Sequence, residues 1–410
     1  MKNRPLASIF LVVFIDLLGF SFILPLLPYY AATFGASPFV VGLITASYAA
    51  AQFLGAPILG RLSDRFGRKP ILMISIAGTF IGFMLLGLAN TILILFISRI
   101  LDGLTGGNIS VAQAYISDVT DAKNRAKGLG MIGAAFGLGF IFGPALGGFL
   151  SQWSYTLPAF VAAGLSLINF ALVALWLPES LTPQKRLALA AGPSRPPFTI
   201  QAMFQSLRRP VVGPLLHTRF FFGLAFSMFQ TVFALYAQYR FNLNAEETAY
   251  ILTYVGVLSV FTQGILIGQL TKRYQEKTLI LISTAVMAFS LLGWAFSPSV
   301  LSLLIILLPT AISGGVLNTV INSAATKAVS PSEIGGILGL SSSLESITRV
   351  IAPSLGGLML GRLGTSAPGI FGFAILVLLV SYIWRTIYSN GQPAPNQLNI
   401  TAALVEDKNR

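Results

Sequence analysis

Residues 60–70 read G-R-L-S-D-R-F-G-R-K-P and lie between two long apolar runs. The charged residues of this segment are Arg61, Asp64, Arg65, Arg68 and Lys69. Because five charges cannot lie in hydrocarbon, we expect a tight loop on one membrane face. Gly60 and Gly67 permit the sharp turns that such a loop needs. The segment therefore predicts that the chain crosses a membrane on both sides of it.

Composition places the chain outside the range of soluble proteins. Its 410 residues are 55% hydrophobic and 10% charged, with a mean hydropathy of +0.79. A soluble domain carries roughly 25% charged residues. The chain has no cysteine and one histidine, His217, which excludes disulfides, thiol catalysis and a Cys- or His-rich metal site. With no phosphate loop in a suitable context, we expect a helical membrane protein without a cofactor or enzymatic activity.

The apolar runs predict an all-α membrane protein with twelve transmembrane helices. The predicted spans are residues 6–28, 39–60, 70–89, 91–117, 127–150, 155–178, 213–239, 247–270, 278–296, 299–326, 335–361 and 368–385. Landmarks recur in the two halves, since Gly106-Gly107 returns as Gly314-Gly315 and Pro144 as Pro353. Such parallel repeats predict two pseudo-symmetric six-helix bundles.

The predicted organisation has four parts. Residues 1–182 form the N-terminal bundle and residues 213–388 form the C-terminal bundle. The intervening residues 183–212 are rich in proline and basic residues and predict a cytoplasmic linker, with a surface helix over 198–207. Residues 389–410 are polar and predict a disordered cytoplasmic tail.

Basic residues are distributed asymmetrically over the predicted loops. Of the 26 lysines and arginines, 21 lie on the side of the N-terminus, and Arg240 and Arg362 lie on the other side. Arg99, Arg219 and Arg349 lie within spans or at their edges. The positive-inside rule then places both termini in the cytoplasm, in a multi-pass protein of the cell (inner) membrane. The net charge of +13 reflects this orientation and contact with anionic lipid, and we expect no nucleic-acid partner.

Five ionisable residues lie deep in the predicted spans. They are Asp16 in span 1, Arg99 and Asp102 in span 4, and Glu345 and Arg349 in span 11. The spacing within spans 4 and 11 lets each acid pair with the arginine of its own helix. Asp16 has no such neighbour, and an unpaired carboxylate in hydrocarbon tends to bind a proton. We predict that Asp16 carries protons and that Arg99 couples to it across spans 1 and 4; a structural clamp is the alternative role.

Polar and aromatic residues at similar depth form a candidate substrate cavity. They are Phe20, Gln52, Asn108, Gln113, Gln230, Asn318, Asn322 and Phe229. Hydrogen bonding between helices is the alternative role for the polar members. His217 and Arg219 open span 7 and are interpreted as anchors at the membrane interface. Pro25 and Pro28 predict a bent outer end of span 1.

The 60–70 segment resembles the loop 2–3 signature of the major facilitator superfamily at nearly every position. We expect a cytoplasmic latch that holds the two bundles together and breaks when that side opens. Asp64 is expected to cap the start of span 11 near Gly335 and Gly336. Arg65 or Arg68 is expected to pair with Asp118. The predicted gate comprises Gly60, Asp64, Arg65, Gly67, Arg68 and Asp118.

Span 5 resembles the fifth-span motif of antiporters in this superfamily. The matching residues are Gly130, Gly139, Gly143, Pro144, Gly147 and Gly148. Glycines permit close approach of helices, and a proline within a helix bends it. The spacing itself predicts tight packing, and the resemblance implies antiport.

The first 180 residues resemble the twelve-span drug:proton antiporters, including bacterial tetracycline- and multidrug-efflux proteins. Residues 14–28 and 99–107 carry this resemblance together with the two motifs above. It implies proton-coupled efflux of a lipophilic, cationic or amphipathic small molecule by alternating access. Asp16 and Arg99 occupy the positions of the family's proton-coupling acid and fourth-span arginine, whereas the span 8 histidine of tetracycline exporters is missing here.

The expected partners are a small-molecule substrate, protons and the lipid bilayer, with the chain acting as a monomer. Two alternatives remain open at this point. One is a proton-linked or facilitative carrier of a metabolite such as a sugar or an organic acid. The other is a membrane sensor or scaffold that does not transport.

Overall fold

The structure is a computed structural model that describes residues 4–121, 125–182, 184, 205–330 and 333–389. Its described residues form helices and turns, with no strand among them. The helices of the N-terminal half are α1 (Arg4–Ile23), α2 (Leu27–Thr33), α3 (Pro38–Phe66), α4 (Arg68–Gly87), α5 (Ile92–Thr105), α6 (Asn108–Val119), α7 (Arg125–Ser151) and α8 (Leu157–Trp176). Those of the C-terminal half are α9 (Val212–Phe241), α10 (Ala245–Phe261), α11 (Ile267–Arg273), α12 (Glu276–Ala295), α13 (Val300–Lys327), α14 (Ile334–Leu363) and α15 (Ala367–Ile383).

The lengths and composition of these helices fit the prediction of an all-α membrane protein. Within the described residues, eleven helical stretches are long and apolar enough to cross a membrane, when α5 and α6 are counted together as one. Helix α14 has 30 residues but carries Glu345, Arg349 and the serines 341–343, and it is not among the eleven. The count of twelve spans and the four-part division therefore stay predictions. Most of the linker, including most of the proposed 198–207 helix, and residues 390–410 lie outside the described part.

The turn between α3 and α4 corrects the predicted loop over residues 60–70. Helix α3 continues through Phe66, and only Gly67 separates it from α4. Gly67 has a φ of 108°, which side-chain-bearing residues rarely adopt. The charges still lie at a membrane edge, but they do so on helix ends, where Asp64 and Arg68 form an i,i+4 ion pair of 2.7 Å across the turn.

Span 4 is broken where the sequence predicts one continuous helix. Helix α5 ends at Thr105 and α6 begins at Asn108, with Gly106 and Gly107 between them. The Gln52 side chain donates a hydrogen bond of 3.1 Å to the Gly106 carbonyl that the break exposes. The repeated pair Gly314 and Gly315 lies inside the continuous helix α13. The repeat therefore exists in sequence, but only the N-terminal half uses it to interrupt a span.

Helix α7 packs against α1 along one row of glycines from the predicted span 5 motif. A Cβ added at Gly143 would overlap Ser21, and one at Gly147 would lie 2.6 Å from the Phe22 carbonyl oxygen. At Gly139 the nearest atom, in Leu17, is 3.2 Å away. Pro144 is buried within the helix. Tight packing of this motif is what the spacing predicts, although Gly130 lies outside the contact.

Gly143→Ala and Gly130→Ala form a matched pair that tests this contact. The Gly143 change forces α1 and α7 apart, and we expect a loss of about 1–3 kcal/mol of stability. Around Gly130, no described heavy atom lies within 4 Å of an added Cβ, so helix propensity favours alanine there by roughly 1 kcal/mol. Thermal unfolding of both variants in detergent measures the difference. Equal melting temperatures contradict the contact.

The described contacts that join the two halves of the chain include a close one at one end of the molecule. We call the end that carries Gly67 the terminal end and the opposite one the distal end. At the distal end α3 contacts α14, where added Cβ atoms at Gly42 and Gly357 would overlap the Pro353 and Pro38 carbonyls. At the terminal end, an added Cβ at Gly335 meets no described heavy atom within 4 Å.

Candidate functional site

Asp16 lies on α1 beside the break in span 4. Its Oδ1 accepts a hydrogen bond of 2.6 Å from Nδ2 of Asn108, the first residue of α6. The Asn108 side chain is 4% exposed and also contacts the Ser75 hydroxyl, which in turn donates to the Thr105 carbonyl. Asp16 itself is partly exposed. The break in span 4 therefore places a neutral amide, rather than a cation, against this deep carboxylate.

Arg99 and Asp102 form a second, fully buried unit on α5. Arg99 Nη1 lies 3.2 Å from Asp102 Oδ2, and the guanidinium lies 5.5 Å from the Phe83 ring centroid. Nε and Nη2 of Arg99 have no hydrogen-bond partner among the described residues. Among those residues no ion pair joins Arg99 to Asp16 either, so the predicted coupling across spans 1 and 4 is not direct in this conformation. The i,i+3 neighbour holds the arginine instead.

The C-terminal half contains a three-residue charge cluster that corrects the interpretation of Arg219. This arginine is buried in the bundle and does not anchor the membrane interface. Its guanidinium pairs with Glu345 Oε2 and donates a hydrogen bond of 2.6 Å to Asn318. Arg349 binds the other oxygen of Glu345 at 2.6 Å. The deep site therefore contains three acids and three arginines in total. The N-terminal half has two of the acids and one arginine, whereas the C-terminal half has one acid and two arginines.

Tyr48 is a site residue that the sequence reasoning missed. Its hydroxyl accepts a hydrogen bond of 3.1 Å from Gln52, and its ring stacks on Phe20 at 5.3 Å between centroids. Tyr48 lies near Asp16 and Asp102 of its own half and near Arg349 of the other half. Tyr48 therefore lies between the two charge groups. Tyr48 lies in an apolar run, and the sequence alone does not distinguish a tyrosine in a site from a tyrosine at the membrane interface.

The remaining predicted cavity residues are divided between the core and the surface. Phe229 is 3% exposed and packs edge-on against Trp294 at 5.0 Å, so it belongs to the core of the C-terminal half and does not line a cavity. Asn322 accepts a hydrogen bond of 3.0 Å from Ser341, which is the bridging role between helices. Gln113 and Gln230 are exposed.

His217 lies away from the charge cluster that contains Arg219. Its Nδ1 and the Tyr382 hydroxyl are 2.9 Å apart, which joins α9 to α15. The histidine therefore bridges two helices of the C-terminal half. No group of three or more His, Cys, Asp or Glu side chains that fits a metal ion is found in the described residues.

The predicted gate is a network inside the N-terminal half, with Arg68 at its centre. The Arg68 side chain is held by Asp118 at 3.0 Å, as predicted, and also by Asp64 and Ser63, each at 2.7 Å. Glu179, which sequence reasoning missed, accepts hydrogen bonds from the first two backbone N–H groups of α4. Asp64 is thus engaged by Arg68 and does not cap α14. Arg65 is exposed, and Gly60 meets no described heavy atom within 4 Å of an added Cβ.

The distal end is closed by contacts between the two halves. The Tyr29 hydroxyl lies 2.6 Å from that of Thr248 and also donates to the Leu243 carbonyl at 3.0 Å. Gln152 and Glu246 form a further hydrogen bond nearby. Helix α1 ends at Ile23 and α2 begins at Leu27, so span 1 has the bent outer end that its prolines predict. The site therefore lies below a closed distal end.

Comparison with known proteins decides the family. The sequence model described as Major Facilitator Superfamily matches residues 9–308 and 264–405. The chain belongs to this superfamily. It is 34% identical over 361 residues to the tetracycline resistance protein, class H, of Pasteurella multocida, which covers 86% of this chain and 88% of that protein. It is 29% identical over 380 residues to multidrug resistance protein 2 of Bacillus subtilis (strain 168), with coverage of 91% and 93%.

Solved structures show the same major facilitator fold. A bacterial homologue of the human lysosomal transporter Spinster, in an inward-facing and occupied conformation, superposes with a TM-score of 0.80 at 15% identity. The match covers 96% of this chain and 100% of that one. The protein is therefore a multi-pass membrane transporter of the major facilitator superfamily, and the family and fold predicted from sequence are confirmed.

Proposed function

We propose that the protein exports lipophilic, amphipathic compounds in exchange for protons. The observation that carries this proposal is Asp16, a partly exposed deep carboxylate whose described hydrogen-bond partner is the neutral amide of Asn108. A carboxylate in hydrocarbon without a cation is costly, and protonation removes that cost. The similarity to proteins named for tetracycline and multidrug resistance supports efflux as the direction.

The positions of Asp16 and Asn108 suggest how protonation would be coupled to conformation. Asn108 begins α6 at the break in span 4, and its side chain also contacts Ser75 of α4. A change in the charge of Asp16 therefore acts on the junction of three helices. Exchange by alternating access requires that this junction has a second arrangement with a different proton affinity.

We further propose that the terminal end faces the cytoplasm of a cell inner membrane. The asymmetry of basic residues supports this orientation. The conformation described is then open to the cytoplasm and closed to the outside, with the Arg68 network intact inside one half. In this scheme Asp64 contacts the start of α14 only after the cytoplasmic side closes.

Growth and accumulation assays test this function. The chain is expressed in a bacterial strain without its main efflux pumps, and growth is scored against lipophilic inhibitors that include tetracycline. We expect expression to protect against some compounds and to lower their accumulation until a protonophore collapses the gradient. Protection that survives gradient collapse, or accumulation unchanged by expression across the panel, contradicts the proposal.

Tyr29→Phe tests the distal closure. The change removes the hydroxyl that joins the halves at Thr248, and a net hydrogen bond is worth about 1 kcal/mol, or roughly a fivefold population shift. Because the chain has no cysteine, spin labels at Ser154→Cys and Arg362→Cys report the distal distance directly. We expect a larger fraction of long distances in the variant. An unchanged distance distribution shows that Tyr29 does not hold this end closed.

One observation favours a second candidate function, the export or uptake of organic acids. The Arg219–Glu345–Arg349 cluster carries one positive charge more than it carries negative charge. A growth assay on single carbon sources with and without expression separates this candidate from drug efflux. The chemistry of that cluster is taken further below.

A further inference from the structure

Arg349 is the most exposed member of its charge cluster. Its side chain is 55% exposed, whereas that of Arg219 is buried against the same Glu345 carboxylate. The single negative charge of Glu345 is thus shared by two guanidiniums, one of which is enclosed by protein. Among the described residues, Arg349 donates one hydrogen bond, to Glu345 Oε1. Arg349 therefore retains unused donors, and the cluster carries one positive charge more than its single described acid balances.

The position of Arg349 on α14 places it between the two halves. Arg349, Pro353 and Gly357 follow one another at four-residue intervals, so they share one face of the helix. Pro353 and Gly357 contact α3 at the closed distal end, at Gly42 and Pro38. Arg349 lies one turn nearer the terminal end, about 6 Å along the axis. It is therefore exposed one turn beyond the described contact between α3 and α14.

The opposing half presents an aromatic surface to this point. Tyr48 of α3 lies near Arg349, and its ring stacks on Phe20 of α1 at 5.3 Å between centroids. A guanidinium with unused donors beside an aromatic pair matches a molecule with an anionic group and an apolar body. Asp16, the deep acid of the N-terminal half outside the Arg99–Asp102 pair, binds Asn108 and forms no ion pair with Arg349 among the described residues.

We propose that Arg349 binds the anionic group of an amphipathic substrate, whose apolar part contacts Phe20 and Tyr48. This inference rests on the proposed function, because it assumes that substrates occupy the space between the two halves. It replaces the expectation of a cationic substrate with that of an organic anion or the anionic end of a zwitterion. Because Arg219 shares the Glu345 carboxylate, the exposed Arg349 has charge and donors left for the ligand.

Tetraphenylborate and tetraphenylphosphonium test the proposal, because they share size and shape and differ in the sign of their charge. Binding of each ion to purified protein in a non-ionic detergent is measured by equilibrium dialysis, with protein-free micelles as the blank. We expect saturable binding of tetraphenylborate that weakens about tenfold or more in Arg349→Gln, since the anion loses its attraction to the guanidinium charge. Arg349→Lys keeps the charge and is expected to retain most of the affinity.

Glu345→Gln separates ligand binding from a structural role for Arg349. Removing the shared carboxylate leaves two arginines without an acid, so tetraphenylborate should bind more tightly than it does to the unmodified protein. If Arg349 only clamps α14, Glu345→Gln and Arg349→Gln weaken binding alike, and the proposal is wrong. Arg273→Gln removes an exposed arginine beside Tyr274 and serves as the charge-matched control, with binding expected to stay unchanged.

The result for the cation completes the test. We expect tetraphenylphosphonium to bind more weakly than tetraphenylborate and to gain affinity in Arg349→Gln. Equal affinity for both ions, or a preference for the cation, overturns the proposal. Because no proton gradient is used, this failure is distinguishable from failure of the proposed antiport, which is measured in sealed vesicles.

Discussion

Asp16→Asn is expected to abolish proton-driven efflux while leaving the protein folded. Asparagine has nearly the same shape, so it can still accept the hydrogen bond from Asn108 that holds α1 to α6. It cannot exchange a proton, and the site stays permanently neutral. Transport in proteoliposomes with an imposed pH gradient should fall to the level of empty vesicles. Exchange of labelled for unlabelled substrate without a gradient should persist, because it needs only the rocking of the two halves.

The controls for this experiment separate charge from geometry. Asp16→Glu retains a titratable group and is expected to restore part of the proton-driven rate. Glu276→Gln removes an acid that pairs with Lys327 at the terminal end, 2.8 Å away, and is expected to have no effect on coupling. Gradient-driven transport at the unmodified rate in Asp16→Asn excludes Asp16 as the coupling group.

Arg68→Gln is expected to produce the largest loss of stability. Arg68 is 5% exposed and faces Asp64 and Asp118, so removing its charge leaves two partly buried acids without a partner. Breaking a buried ion pair costs about 3–5 kcal/mol. Since the acids are not fully enclosed, we expect a loss near the lower value. Thermal melting in detergent measures this loss of stability, and the disappearance of the monodisperse peak monitors the melting.

Arg65→Gln is the matched control, three positions earlier on the same turn. Arg65 is exposed and contacts only the Phe66 ring among the described ring contacts, at 5.3 Å. Such an exposed contact is worth about 0.5–1 kcal/mol. If Arg65→Gln destabilises the protein as much as Arg68→Gln does, the burial of Arg68 is not the cause.

The sequence predicted the helices well because apolar length and flanking charge decide membrane spans locally. It failed where tertiary contacts decide. The charges after Gly60 indicated a loop, yet α3 continues to Phe66 because the Asp64–Arg68 pair satisfies charge on a helix end. The break at Gly106 was not predicted, because the same glycine pair at Gly314 does not break α13.

Prediction of the candidate site succeeded for pairs on one helix and failed for partners from different helices. Glu345–Arg349 follows from i,i+4 spacing. Arg219 is 126 positions away from Glu345. The sequence around Arg219 does not show whether this arginine is buried in the bundle or lies at the membrane interface. The same holds for the Asn108–Asp16 contact, which spans 92 positions. Asp16 was predicted as the deep acid with no basic neighbour on its own helix, and its described partner is Asn108; its role as the proton carrier stays a prediction.

Infrared difference spectroscopy tests the central claim, that Asp16 binds and releases a proton, most directly. Purified protein is titrated over pH, and the carbonyl stretch of protonated carboxylic acid is followed in the unmodified protein, in Asp16→Asn and in Asp102→Asn. We predict a titrating carboxylic acid band that is missing in Asp16→Asn and retained in Asp102→Asn. A band that survives unchanged in Asp16→Asn contradicts the account.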